Sequence, residues 1–418
     1  MDPHWRAFIT RASYLKPMNP KIHIALPVLN ESGNLSAFID CLKAQSEQDF
    51  RLIVCVNQYE DWWEDAEKSA QCFDNQKSID FLQSVQDIEI QIIDKSSKGK
   101  GWLQKKGGVG HARKSAMDLI VETAADNDLI VSVDADTFYP TDYLASIKKS
   151  FQKYPKMIGL AIPYYHKLDG NETDRLILHY EIYMRYYALN MLRINNPYAF
   201  SALGSAMVFP VWAYKKVGGL TPVLSGEDFY FLQKLVKNGK LGIWTETMAF
   251  PSSRFSDRVL FGTGPALIKG NTGNWDSYPI YDFHLFDRVE ETFQLFPLLY
   301  EKDMKTPMDS FLKKQFKTEH IWPPLRKNYK DIGNFVKACI NKVDGLRILQ
   351  YLRLEQSKVE QSNEEVLIRF LLKYLKESLM TKYSIHLDDL SFETSSIEQL
   401  NEIRNLLFEE EMKLRVKL

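Results

Sequence analysis

Cysteine is scarce: Cys41, Cys55, Cys72 and Cys339 are the only four in 418 residues, and none falls in a CxxC or other ligand-like spacing. That excludes a disulfide scaffold and a thiolate metal cluster. Cys41 and Cys55 sit in apolar patterns and read as buried thiols. Charge of one sign is also lacking. The chain has 53 Lys+Arg against 54 Asp+Glu, a formal net charge of −1, so no global field draws it to nucleic acid or acidic lipid. Any basic site is local. No run of about 18 apolar residues is present, which excludes a membrane-spanning helix; the nearest approach, over 202–214, is interrupted by Ser205 and Pro210. The first 20 residues carry His4, Arg6, Arg11 and Lys16 without an apolar core, so no secretory signal is expected. These absences point to a cytoplasmic chain, at most peripheral at the inner membrane face.

With 45% hydrophobic and 26% charged residues, the composition is that of a soluble globular protein. The length favours two domains. Strand and helix signals alternate through the first half. Apolar runs at Ile22-His-Ile-Ala-Leu26 (ended by Pro27), Leu52-Ile-Val-Cys-Val56, Ile88-Glu-Ile-Gln-Ile-Ile93 and Leu129-Ile-Val-Ser-Val133 are separated by helical spacing at Leu35, Phe38, Ile39 and Leu42 and by a helix over 110–123. Strands joined by helices imply right-handed crossovers and a mainly parallel sheet. Tyr180, Tyr183, Met184 and Tyr187 recur at helical spacing within a helix over 176–192, a stripe that reads first as core packing and second as a surface on which an acceptor stacks. From about Gly270 helical patterns dominate: 332–350, 363–379 with Ser362 or Asn363 as N-cap, and a final helix opened by the capping-box pattern Ser396-Ile-Glu-Gln399. The expected organisation is an N-terminal extension (1–20), an α/β domain (21–270) and a mainly helical C-terminal region (271–418) for docking, self-association or acceptor choice.

Asp134-Ala135-Asp136 closes the fourth apolar run. Ligands gather at the carboxyl ends of strands in open α/β sheets, and two acids this close require positive charge nearby. A hard divalent cation carrying a diphosphate supplies it, since Mg2+ is held by one or two carboxylates plus phosphate oxygens. Other segments bear on the pair. Pro27, Asn30 and Glu31 follow the first strand, where polar groups could line a nucleoside or merely cap a helix. A lysine- and glycine-rich loop over 94–107, including Lys100, suits a diphosphate or simply solvent. Gly107-Gly-Val-Gly110-His-Ala-Arg113 opens a helix whose N–H groups and arginine suit phosphate, without matching G-x-G-x-x-G. Gly226-Glu227-Asp228 places acids at a helix start, as a general base or as partners of the macrodipole. Arg254 and Arg258, four apart, would share a helix face and recognise phosphate.

In this order the segments resemble the family 2 glycosyltransferases over about residues 21–264. The resemblance rests on Pro27/Asn30/Glu31, Gly110/Arg113, Asp134-Ala135-Asp136 and Gly218-Gly219 followed by Gly226-Glu227-Asp228. It implies a GT-A, Rossmann-like fold and transfer of a sugar from a nucleotide-diphosphate donor to an acceptor hydroxyl with Mn2+ or Mg2+. It further implies a nucleoside site at Pro27, Asn30, Glu31 and Asn57, with Lys100, Gly110, Arg113, Arg254 and Arg258 near the donor. Asp136 would bind the metal, Asp134 the ribose and the metal's water. Asp228 would be the base of an inverting transfer, with Glu227 beside it. The acceptor would be a carbohydrate, a lipid-linked or another hydroxyl compound. Strand-end acids and basic loops also suit a nucleotidyltransferase or sugar-phosphate enzyme, and a non-catalytic nucleotide- or carbohydrate-binding protein is the third reading.

Overall fold

The computed structural model describes residues 19–103, 107–255, 262–383, 385 and 387–417; the extension up to residue 18, Lys105, Lys106 and Arg258 lie outside them. The aliphatic runs form parallel neighbours in the order β3 (Ile90–Lys95), β2 (Phe50–Asn57), β1 (Ile22–Val28), β4 (Leu129–Ser132). The sheet continues through β7 (Met207–Pro210), antiparallel to β4, then β6 (Gly159–Ala161) and β8 (Leu241–Gly242), seven strands in all. Every residue of β1 and β4 is buried, which explains why they read as continuous apolar runs instead of alternating ones. The mainly parallel α/β architecture and the helical C-terminal region both match expectation.

Helices cover both faces. Ile22, Ile24 and Leu26 pack with α1 (Ser32–Lys43), α2 (Ser69–Ser84) and α4 (Tyr143–Lys153) through Phe38, Leu82 and Ile147. On the other face Ala25, Ile53 and Cys55 meet Ala112, Ala116 and Ile120 of α3 (Val109–Thr123). That second core continues through α5 (Thr173–Arg193), α6 (Val211–Lys216), α7 (Glu227–Asn238) and α8 (Thr263–Asn271) into the helical region. There α9 (Phe283–Glu301), α10 (Asp309–Phe316), α11 (Trp322–Asn328), α12 (Ile332–Lys342), α13 (Gly345–Gln356), α14 (Asn363–Tyr374), α15 (Lys376–Thr381) and α16 (Ile397–Val416) follow. No described helix is long and apolar enough to cross a membrane.

A buried ionic cluster locks α16 onto α5. Arg185 donates to Glu411 (2.8 Å) and Glu181, Arg404 to Glu181 (3.2 Å) and the His166 carbonyl (2.7 Å), and Arg415 to Glu411 and Ser201 (2.9 Å). Burying charges this deeply is tolerable only because each finds a partner.

Several local expectations are corrected. Pro27 does not end β1, which runs on to Val28. The β1–β4 ladder stops at Ala25 and Ser132, and Pro27 faces the same side two residues later, where no strand asks for its missing N–H. The single helix expected over 332–350 is two, because Asp344 caps α13 by accepting from the Arg347 N–H. The helix over 363–379 likewise divides into α14 and α15. Ser362 and Ser396 do cap their helices, Ser362 in a complete capping box. Arg254 lies in non-helical chain after β9 (Phe250–Pro251), so it shares no helix face. Cys41 is only half-buried, whereas the other three thiols are buried.

Candidate active site

The chain builds β2 and β3 on one side of β1 and returns to β4 on the other. The carboxyl ends of β1 and β4 therefore flank the point where the strand order reverses, the usual place for a ligand crevice. A cavity of about 510 Å3 opens there, lined by Pro27, Glu31, Asn57, Arg113, Asp134, Asp136, Glu227, Asp228 and Arg254 among others. Segments more than 200 residues apart in sequence thus meet: Arg254 and Glu31 are separated by 223 positions.

Arg113 is the hub. Its guanidinium, 2% exposed, donates to Glu227 Oε1 (3.1 Å), Asp134 Oδ1 (2.9 Å), Ser132 Oγ (2.6 Å) and the Gly204 carbonyl (2.9 Å). Five donors in a rigid fork allow one residue to bridge two acids and a backbone carbonyl. A Cβ on Gly204 would lie 2.5 Å from the guanidinium, so that position has to be glycine for the hub to close. Asp134 is held from the other side as well: its backbone N–H donates to Tyr139 Oη (3.0 Å), which donates to the Ser205 carbonyl (3.1 Å).

The second arginine serves the second acid. β5 (Thr137–Phe138) pairs antiparallel with β9, Thr137 opposite Pro251. This ladder sets Arg254, three residues past Pro251, against Asp136, with Nε and Nη2 at 2.9 and 2.7 Å from Oδ2. Nη2 also reaches Glu31 Oε1. Arg254 keeps 34% side-chain exposure, in contrast to Arg113.

The left-handed Gly226 (φ 79°) delivers Glu227 and Asp228 in the first turn of α7. Burial and the adjoining Asp228 charge push Glu227 up to about 7, against the pull of Arg113. Asp228 is also raised, first by burial and further by the charge of Asp134, while the Phe229 N–H and Arg113 oppose this. A carboxyl poised near neutrality can accept a proton from a substrate hydroxyl.

Other expected residues take structural parts. Asn57 is buried and already donates to the Val28 carbonyl (2.9 Å) and accepts from Trp102 (3.3 Å). Asn30 adopts a left-handed turn (φ 55°) with its N–H on Asn75, and it does not line the cavity. Gly110 is a packing glycine: a Cβ would meet the Val223 carbonyl at 2.4 Å. Lys100, on an exposed loop, pairs with Asp94 at 2.8 Å and lies outside the lining. Sequence reasoning missed Ser132, Tyr139 and Gly204, which carry no motif. It also missed Tyr278, Leu346, Leu349 and Arg353, through which the helical region enters the same cavity.

Among the described residues no three or more His, Cys, Asp or Glu side chains converge as a metal cage. Five carboxylates nevertheless line this end of the cavity, Glu31, Asp134, Asp136, Glu227 and Asp228. Hard oxygen ligands of this kind fit a divalent ion that completes its shell with phosphate oxygens.

No family model and no curated protein matches the chain. Solved structures that overlap it include the mannosyltransferase PcManGT from Pyrobaculum calidifontis in complex with GDP-Man and Mn2+, at 11% identity over 91% of this chain and 90% of that one, TM-score 0.39. S. aureus TarS 1-349 overlaps at 11% identity over 92% and 90%, TM-score 0.37. A mycobacterial protein does so at 12% over 61% and 76%, TM-score 0.34. Overlaps at these TM-scores decide nothing about chemistry, which is read from the site residues alone.

Proposed function

We propose that the protein is a glycosyltransferase of the GT-A, family 2-like type, moving a sugar from a nucleotide-diphosphate donor to an acceptor hydroxyl. The observation that carries this reading is the meeting of the strand-end acids Asp134 and Asp136 with Glu227 and Asp228 in one cavity, where Arg113 bridges Asp134 to Glu227. Pro27 and Glu31 line the nucleoside end. Arg254, the half-buried partner of Asp136, would turn toward a diphosphate. Asp136, with Asp134 beside it, would hold Mn2+ or Mg2+, which when bound offsets charge on the departing diphosphate. Asp228 takes the proton of the acceptor hydroxyl as its oxygen attacks the anomeric carbon from the face opposite the diphosphate, so the configuration inverts. Glu227, fixed by Arg113, orients that base.

The test is a melting screen of nucleotide sugars with and without Mn2+, because a ligand that binds only the native state raises the melting temperature. The hit is then assayed for nucleoside diphosphate release with wild type and Asp228→Asn. Donor protection kept by Asp228→Asn with transfer lost is expected. Full transfer by Asp228→Asn refutes the base assignment, and release of pyrophosphate in place of nucleoside diphosphate would make the protein a nucleotidyltransferase.

A further inference from the structure

The cavity has two chemically different ends. At the strand ends it is crowded with carboxylates and guanidinium groups. Beyond Asp228 its wall is aromatic and aliphatic: Tyr180, Tyr183 and Tyr187 from α5, Tyr278 from the loop before α9, and Leu349 from α13. The rings form a packed ladder, Tyr278 standing 5.1 Å from Tyr180 and 5.6 Å from Tyr183, edge-on to both. Tyr180 lies near enough to Asp228 to feel its charge, so the ladder begins at the base.

One charged side chain stands in this wall. Arg353 of α13 lines the cavity, lies close to Tyr183, Tyr278 and Tyr281, and has an exposed side chain. It donates to the Ser277 carbonyl at 3.5 Å and interacts with the Tyr281 hydroxyl, both neutral groups. No carboxylate among the described residues pairs with it, although Glu355 two positions on pairs with Arg288 and Lys358. Arg113 and Arg254, in the same cavity, are both ion-paired. A guanidinium left without an anion beside aromatic faces is an anion receptor, suited to a planar carboxylate or a phosphate.

Resting on the glycosyltransferase reading, we infer that the acceptor is an apolar, ring-bearing hydroxyl compound with an anionic group, its ring on the tyrosine ladder and its anion on Arg353. The helical region thereby selects the acceptor: α13 contributes both the charge and, through Leu349, part of the apolar wall. A neutral oligosaccharide would leave Arg353 unanswered and would find few side-chain partners beyond the phenols. The anion could be a free carboxylate or a lipid phosphate, with the same chemistry at Arg353.

The probes are para-hydroxyphenylalkanoates of graded chain length, the matched phosphate esters, the matched uncharged phenolic alcohols, and a neutral disaccharide. Binding is measured by calorimetry on the full chain, and a nucleotide-sugar arm is run on the wild type. The acids or phosphate esters should bind, with their relative affinities distinguishing the two anion sources. Arg353→Gln should weaken them about tenfold or more, the loss expected for one charge-assisted hydrogen bond. Arg353→Lys should restore part of it, and the melting temperature of each free variant reports its folding. Equal binding of the acids and the uncharged alcohols, an unchanged affinity in folded Arg353→Gln, or preference for the disaccharide each overturns the proposal. The two readings fail separately: absence of any nucleotide-sugar protection sinks the transferase, and absence of Arg353-dependent binding sinks the acceptor class.

Discussion

Replacing Arg113 by Met tests whether the buried guanidinium holds the two acidic segments together. Methionine keeps much of the side-chain length and removes every donor. Four groups lose a partner: Glu227, Asp134, Ser132 and the Gly204 carbonyl. Removing one member of a buried ion pair costs about 3–5 kcal/mol, because the other charge is left behind. Glu227 is almost wholly buried, but Asp134 keeps 35% side-chain exposure and can be re-solvated. The expectation is therefore the low part of that range from Glu227, with about 1 kcal/mol more from the neutral acceptors, roughly 4 kcal/mol in all. At about 2.1 cal/mol/K of unfolding entropy per residue, the melting temperature of a chain this long should fall by about 5 °C. Scanning calorimetry measures it. The double variant Arg113→Met/Glu227→Gln should recover part of the loss, since it leaves no buried unpaired carboxylate. A melting temperature within about 1 °C of wild type, or additive losses in the double variant, would refute the hub.

Gly204→Ala should act in the same direction as Arg113→Met, because its Cβ would stand 2.5 Å from the guanidinium; an unchanged melting temperature would contradict the fit. The raised Asp228 and Glu227 carboxyls predict a kcat/KM that climbs with pH above the ordinary carboxylate range. A plateau already reached at pH 5 would argue against it. The same shift predicts stability. Glu227 keeps its proton to a higher pH in the folded chain than in the unfolded one, so its contribution is full below the unfolded carboxyl pKa of about 4.3 and is lost as pH rises through about 7. Glu227→Gln should flatten that slope in urea titrations at several pH values. Arg254→Gln should weaken donor binding about tenfold and strengthen Mn2+ binding to the donor-free protein, read by electron paramagnetic resonance, since one competing cation leaves Asp136. Glu411→Ala should cost about 3–5 kcal/mol in chemical unfolding, because it leaves Arg415 without a carboxylate and Arg185 with Glu181 alone.

The parallel core was legible because buried strands announce themselves as aliphatic runs, and Leu129 to Val133 leading into Asp134 marks a strand end without any alignment. The caps at Ser362 and Ser396 were legible because capping is a local interaction. What stayed hidden depends on distance in sequence. Arg185 and Glu411 are 226 positions apart; on a helical pattern each reads as part of a solvated charged face, yet both are buried. Arg113 looked like a phosphate ligand because an arginine near a helix N-terminus usually meets solvent or an anion. Its carboxylate partners arrive from β4 and α7, and no spacing rule connects those elements. The α5 tyrosine stripe read as core packing first and acceptor stacking second. Tyr180, Tyr183 and Tyr187 do pack, and they also line the cavity, because a ring buried on one edge can present the other to a ligand.

The two acids of the strand end differ in what holds them, and that difference assigns the exchangeable charge. Asp134 shares a guanidinium that is 2% exposed and tied at several atoms. Moving that group would strand Glu227 and break its bonds to Ser132 and Gly204, so Asp134 stays fixed. Asp136 is held by Arg254, which is 34% exposed and follows a two-residue strand in non-helical chain. A partly solvated guanidinium pays little desolvation to leave one anion for another, and a diphosphate offers the same bidentate geometry as the carboxylate. Under the proposed function, charge exchange on donor arrival would therefore fall at Asp136 and Arg254. Arg113 keeps Asp134 and Glu227 in register, so that under the proposed transfer Asp228 would meet the anomeric carbon in a geometry set before the donor binds.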